Sequence, residues 1–213
     1  MSNTMSNISF SPQWNHPFTS IISGASGAGK TCFVEKLLKN LDIMVSPRPS
    51  YIVWAYGVWQ PAYEKWGDRI KFVEGVPNND DILPNTLLVI DDLMTETNQA
   101  VTHLFTKHSH HKNISVVYIT QNLFFKNNEM RTISLNSNYI VLFKNPRDIS
   151  QTIILGRQMY CGNSNYFQQA YKDATSKPHG YILCDLKQST PDNFRLRTNI
   201  FPDEHPEVVY VPK

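Results

Sequence analysis

Gly24-Ala25-Ser26-Gly27-Ala28-Gly29-Lys30-Thr31 is an unbroken G-x-x-x-x-G-K-[ST] stretch, and its setting decides the fold. Just before it, 18–23 (FTSIIS) is short, apolar and rich in isoleucine, as a buried parallel strand is. Just after it, 32–40 carries Phe33, Leu37 and Leu38 at helical spacing. Strand, glycine-rich loop and helix in that order make a phosphate cradle. The glycines let successive N–H groups turn inward, and the helix N-terminus adds the positive end of its dipole. Gly24, Ala25, Ser26, Gly27, Ala28, Gly29, Lys30 and Thr31 are therefore expected to bind ATP. Lys30 reaches the β- and γ-phosphates, and Thr31 ligates Mg²⁺ through its hydroxyl, a hard oxygen for a hard cation.

A second stretch, Leu87-Leu88-Val89-Ile90-Asp91-Asp92, is four aliphatics ending in two carboxylates. A fully buried strand presents acids this way at its carboxyl end, where ligands of open α/β sheets bind. Asp91 is expected in the Mg²⁺ shell, and Asp92 is expected to orient and deprotonate the attacking water. Glu96, one helical turn on, is the alternative base; both aspartates also suit the cap of a helix starting near Thr95. A third apolar strand, 114–120 (ISVVYIT), ends in Thr120-Gln121-Asn122. Gln121 stands where ATPases with an extra strand between these two motifs place a polar sensor of the γ-phosphate.

The 213 residues, 41% hydrophobic and 18% charged, suffice for one α/β core and not for a second enzymatic domain. The expected division is a polar N-terminal segment 1–17, a catalytic domain 18–201 and a loosely ordered tail 202–213. Cys32, Cys161 and Cys184 are odd in number and far apart, which speaks for a reducing intracellular compartment. Cys32 reads as a small buried filler. No apolar run reaches the length of a membrane span, and the polar start lacks a signal peptide's hydrophobic region. Net charge is only +2, but basic residues gather after Asp92, from Lys107 to Arg197, which permits a surface that follows a phosphate backbone. Solvated helix faces have the same composition.

Further elements are expected as a strand at 51–56 (YIVWAY), a short helix carrying Tyr63 and Trp66, and a turn-rich acidic stretch at 75–84. A helix at 95–112, a strand at 139–144 and helices at 149–159 and 166–174 follow. The chain then forms an antiparallel hairpin of 180–186 and 194–200. The fold class is α/β: a P-loop NTPase, a three-layer sandwich with a mostly parallel central sheet and this late hairpin.

GASGAGKT, LLVIDD and VVYITQN, followed by RTISLNSNYIVLFKNPRD and PDNFRLRTNIFP, resemble the genome-packaging ATPases of double-stranded DNA viruses and of virus-like transposons, within the FtsK/HerA-like superfamily. The resemblance runs over nearly the whole chain. It implies a homo-oligomeric ring, pentameric or hexameric, that pumps double-stranded DNA into a preformed capsid, with a capsid or vertex protein as a partner. It also implies a nuclear or cytoplasmic assembly site, or association with the virion. Such rings take an arginine from the neighbouring subunit to offset transition-state charge. Arg131, expected in a loop after the third strand, is the first candidate. Arg147 in Asn145-Pro146-Arg147-Asp148 is the second, unless Asp148 neutralises it, and Arg157 is the third. His103, His108, His110 and His111 suggest a metal site by spacing, but no Cys or fixed ligand pair completes a zinc pattern. The competing functions are a nucleoside or nucleotide kinase, against which no arginine-rich lid is found, and a nucleotide-binding switch without turnover.

Overall fold

A computed structural model describes residues 12–91, 93, 99–108, 112–124, 128–204 and 206–212. Five apolar runs buried from end to end make the middle of its sheet: β2 (Thr19–Ser23), β6 (Thr86–Asp91), β7 (Ser115–Thr120), β8 (Tyr139–Phe143) and β9 (Tyr181–Asp185). Continuous rather than alternating hydrophobicity is what a parallel sheet covered on both faces requires. Four shorter strands extend it: β4 (Tyr51–Tyr56) and β5 (Lys71–Glu74) on one side, β10 (Leu196–Thr198) and β11 (Val208–Tyr210) on the other. The order is β11-β10-β9-β8-β2-β7-β6-β4-β5, parallel from β5 to β8 and antiparallel from β8 to β11. The strand that follows the acidic pair in sequence, β7, thus lies between β2 and β6.

Helices cover both faces, because neighbouring residues of each strand point to opposite sides. One face carries Ile22, Leu87, Val89, Val117, Ile119 and Val141, covered by Phe33, Val34 and Leu37 of α1 (Lys30–Lys39) and by Tyr63 and Trp66 of the 3₁₀ segment Pro61–Arg69. The other carries Ile21, Leu88, Ile90, Val116, Tyr118 and Ile140. Over it lie Val101 of α3 (Gln99–His103), Ile133 of α4 (Asn128–Leu135), Leu155 of α5 (Ser150–Met159) and Phe167 of α6 (Ser164–Ala174). α2 (Leu41–Met44) is a single turn after α1. Three layers result, as expected. Among the described residues no helix is long and apolar enough to cross a membrane.

The helix expected at 95–112 is helical over 99–108, as α3 and a π-helical turn, Leu104–His108; 94–98 and 109–111 lie outside the described residues. Other expectations need correction. Lys71–Glu74, for which no element was expected, is an edge strand. The N-terminal segment is not simply polar: Trp14 is buried and stacks on Tyr139 with ring centroids 4.3 Å apart, and β1 (Trp14–Asn15) pairs with β3 (Val45–Ser46). Nor is the tail loose across 202–204 and 206–212. β11 pairs with β10, and Glu207 accepts a hydrogen bond from buried Arg197 at 3.0 Å. Glu204 accepts from the Tyr181 hydroxyl at 2.6 Å and from Lys36 of α1 at 2.8 Å.

These contacts make the tail a clamp between α1 and β9. Glu204→Ala removes the acceptor of a buried phenol and is expected to lower stability by about 1–3 kcal/mol. The urea midpoint, measured with unchanged circular dichroism, checks it; an unchanged midpoint would show that the tail carries no stability.

Candidate active site

The carboxyl ends of β2, β7 and β6 lie side by side. Ser23 pairs with Thr120, and Asp91 pairs with Ile119. The Gly24 N–H donates to the Thr120 carbonyl at 3.3 Å, so the chain leaves the sheet at that level. Gly24 must be glycine for space: a Cβ would stand 2.6 Å from the Phe143 Cβ. Gly29, the residue from which α1 starts, has φ of +106°, a conformation open to glycine and strained for any side chain. Lys30 turns back over the loop, its Nζ donating to the carbonyls of Gly24 at 2.7 Å and Ala25 at 2.9 Å.

A cleft of about 290 Å³ opens at this edge. Ser26, Gly27, Gly29, Lys30, Thr31, Asp91 and Gln121 line it, so residues from all three sequence motifs meet on one surface. Gly24, Ala25 and Ala28 complete the loop behind it. Asp91 is 6% exposed at the end of its strand and accepts a hydrogen bond from the Tyr63 hydroxyl at 3.2 Å. Burial, and then the charge of Asp91, raise the pKa of Tyr63, so its phenol stays a donor.

The roles within Thr120-Gln121-Asn122 divide. The Thr120 hydroxyl and the Asn122 side chain bond the backbone of the turn, while Gln121 is exposed in the cleft. Asp92 and Glu96, the two candidate bases, lie outside the described residues, as do His110, His111 and the side chain of His108. Among the described residues no group of His, Cys, Asp and Glu could hold a metal ion by itself.

Arg131 is not in a loop. It is exposed in the first turn of α4, the helix that leaves the carboxyl end of β7. Arg147 is exposed in the turn after β8, and Arg157 is exposed on α5; neither they nor Arg131 line the cleft. Asp148 does not neutralise Arg147. It accepts from the Ser150 hydroxyl and N–H and from the Gln151 side-chain amide at 2.6 Å, all at the start of α5. The Ser150 hydroxyl, then the Gln151 amide, hold its carboxyl below the ordinary range. Cys32 is exposed on the cleft wall, because α1 turns Phe33 and Val34 inward instead.

Two cleft residues, and one that supports the cleft through Asp91, escaped the sequence reading. Gln60 and His179 line the wall from loops with no periodic signal, and Tyr63 was read only as an aromatic on a short helix.

Neither protein-family models nor the sequences of curated proteins match this chain. Solved structures do. The genome packaging NTPase B204 of Sulfolobus turreted icosahedral virus 2, in complex with AMP, superposes with a TM-score of 0.55 at 14% identity, over 92% of this chain and 98% of B204. The fold is shared with that protein. Its complex with AMPPCP gives 0.53 at 10% identity over the same shares. The cytoplasmic domain of the type VII secretion ATPase EccC of Thermomonospora curvata gives 0.51 at 11% identity over 81% of this chain and 24% of EccC.

Tyr63→Phe keeps the ring stacked on Phe72, with centroids 5.0 Å apart, and deletes the donor to a buried carboxylate. The expected loss is about 1.5–3 kcal/mol, the scale of a hydrogen bond to a charged group. Chemical denaturation measures it, and a loss below roughly 0.5 kcal/mol would mean that Asp91 does not rely on this contact.

Proposed function

We propose that this chain is an ATPase that works as a homo-oligomeric ring, pentameric or hexameric, and moves double-stranded DNA into a preformed capsid. The observation that carries the ATPase reading is the meeting of Lys30, Thr31, Asp91 and Gln121 in one cleft, with β7 inserted between β2 and β6. The packaging reading is supported by the fold shared with B204 over almost the whole of both chains, together with the motif order in the sequence.

The loop N–H groups and the start of α1 receive the polyphosphate. Lys30, held over the loop by two carbonyls, supplies a cation to the β- and γ-phosphates. The Thr31 hydroxyl and the buried Asp91 carboxylate are hard oxygen donors lining the same cleft and fit Mg²⁺. When bound between them, such an ion would supply positive charge against the phosphate oxygens. Tyr63 fixes the orientation of Asp91. Asp92, or Glu96 in its place, accepts the proton of the water that attacks the γ-phosphorus as the bond to ADP breaks, and Gln121 hydrogen-bonds that water or the γ-phosphate. Arg131 or Arg147 of one subunit completes the next subunit's site, working in a ring that meets the capsid or its vertex protein.

Duplex DNA is expected to stimulate phosphate release from ATP, which separates this function from a kinase, which needs a nucleoside acceptor, and from a switch, which shows neither effect. Lys30→Ala should abolish turnover and weaken binding; phosphate release near the wild-type rate would remove the assignment. Asp92→Asn should hold nucleotide without hydrolysing it, and normal turnover there with loss in Glu96→Gln would move the base by one helical turn.

The arginine is tested by mixing. Arg131→Ala should bind ATP normally yet lose ~10³-fold in turnover. Combined with Lys30→Ala, it should regain DNA-stimulated hydrolysis, since each dead subunit supplies what the other lacks. No recovery in rings shown to co-assemble would pass the role to Arg147.

A further inference from the structure

Lys177-Pro178-His179-Gly180 is a tight turn that feeds β9, closed by the Gly180 N–H donating to the Lys177 carbonyl at 3.1 Å. Proline at the first central position and φ of +60° at the second mark a type II turn, whose second central position ordinarily goes to glycine. Here it is a histidine. The glycine stands one place later, where a Cβ would come within 2.4 Å of the Ala174 carbonyl oxygen. A side chain kept at a position that disfavours side chains needs a use, and such residues gather at functional sites.

The imidazole lies against the phosphate loop, far away in sequence. Its Nδ1 is 3.2 Å from the Ala28 carbonyl oxygen, and a Cβ added at Gly29 would meet that nitrogen at 3.1 Å. The residue lines the cleft with Lys30, Thr31 and Cys32. A carbonyl can only accept, so Nδ1 carries the hydrogen and donates it to Ala28. In the neutral ring Nε2 is then an acceptor.

An acceptor has nothing to offer phosphate oxygens, which are acceptors themselves and already have the loop N–H groups and Lys30. Beyond the phosphates a nucleotide presents donors at the ribose hydroxyls and at the amino group of the base, and a ring packed against Ala28 and Gly29 of the loop itself stands nearer to the ribose, which follows the phosphates directly. Resting on the reading of this cleft as the nucleotide site, we propose that His179 is a ribose-binding residue: Nε2 accepts a hydrogen bond from a ribose hydroxyl of the bound nucleotide, while the Ala28 carbonyl fixes the ring. The nucleotide is thereby held by two elements at one edge of the sheet, the loop after β2 and the turn before β9.

The test compares the affinities of the full-length protein for ATP and for 2′,3′-dideoxy-ATP, by competition against a fluorescent ATP analogue. His179→Asn tolerates the positive φ and keeps an amide donor near the Nδ1 position, but has no group at Nε2. His179→Gly suits the turn and removes the ring, so a second variant that folds is at hand. The wild type should prefer ATP by about 5-fold, the worth of roughly one neutral hydrogen bond. Both variants should bind ATP as weakly as the dideoxy compound, with affinity for the latter unchanged. Equal wild-type affinities for the two ligands, or an equal loss for both in His179→Asn, overturn the ribose assignment. Lys30→Ala distinguishes that failure from failure of the site: if it binds ATP as tightly as the wild type, the nucleotide reading itself falls.

Discussion

Ser23 of β2 pairs with Thr120 of β7, and Asp91 of β6 pairs with Ile119 of the same β7, so three parallel strands stop at one level. Everything proposed for the cleft depends on that register. Had β6 slipped by one residue against β7, the faces of its side chains would exchange, and Asp91 would no longer stand where Leu87 and Val89 point. The register is held by burial. Leu87, Val89, Val117 and Ile119 must face α1 while Leu88, Ile90, Val116 and Tyr118 face α3 and α4, and no shifted pairing satisfies both layers.

A sheet edge built this way collects charge where burial would otherwise forbid it. Asp91 is almost fully buried, and an isolated carboxylate there would be costly. The Tyr63 hydroxyl offsets part of that cost, which explains why an aromatic segment between β4 and β5 folds over the end of β6. Lys30 meets the same requirement with opposite sign, its ammonium resting on two loop carbonyls. The cleft is therefore polarised in advance: a cation, the N-terminus of α1 and the Thr31 hydroxyl come from the loop and its helix, and a carboxylate comes from the end of β6. That is the arrangement a polyphosphate with a hard divalent cation requires.

Most of this was legible in the sequence because the deciding elements are long apolar runs with polar ends. The strands containing Ile21, Leu88 and Val117 could only be buried, and the order of their polar ends already pointed to a strand inserted between two others. What escaped was short or aperiodic. Lys71–Glu74 alternates charged ends with a two-residue apolar centre, too little to distinguish an edge strand from a turn. Val208–Tyr210 is a strand only because β10 offers it a partner. Cys32 was misplaced because periodicity identifies an apolar face and not which small residue beside it stays exposed. His179 enters the cleft through the geometry of one turn, which a local pattern of proline and glycine announces without saying what it faces.

The central claim is that a nucleotide sits across the ends of β2, β7 and β6. Electron microscopy of the protein with a non-hydrolysable ATP analogue, Mg²⁺ and duplex DNA tests it most directly. The account predicts a closed ring around DNA, with phosphate density inside the loop 24–31, the cation between Thr31 and Asp91, and an arginine of the adjacent subunit at the γ-phosphate. Nucleotide density away from that loop, or a monomer with no subunit against the cleft, would contradict it.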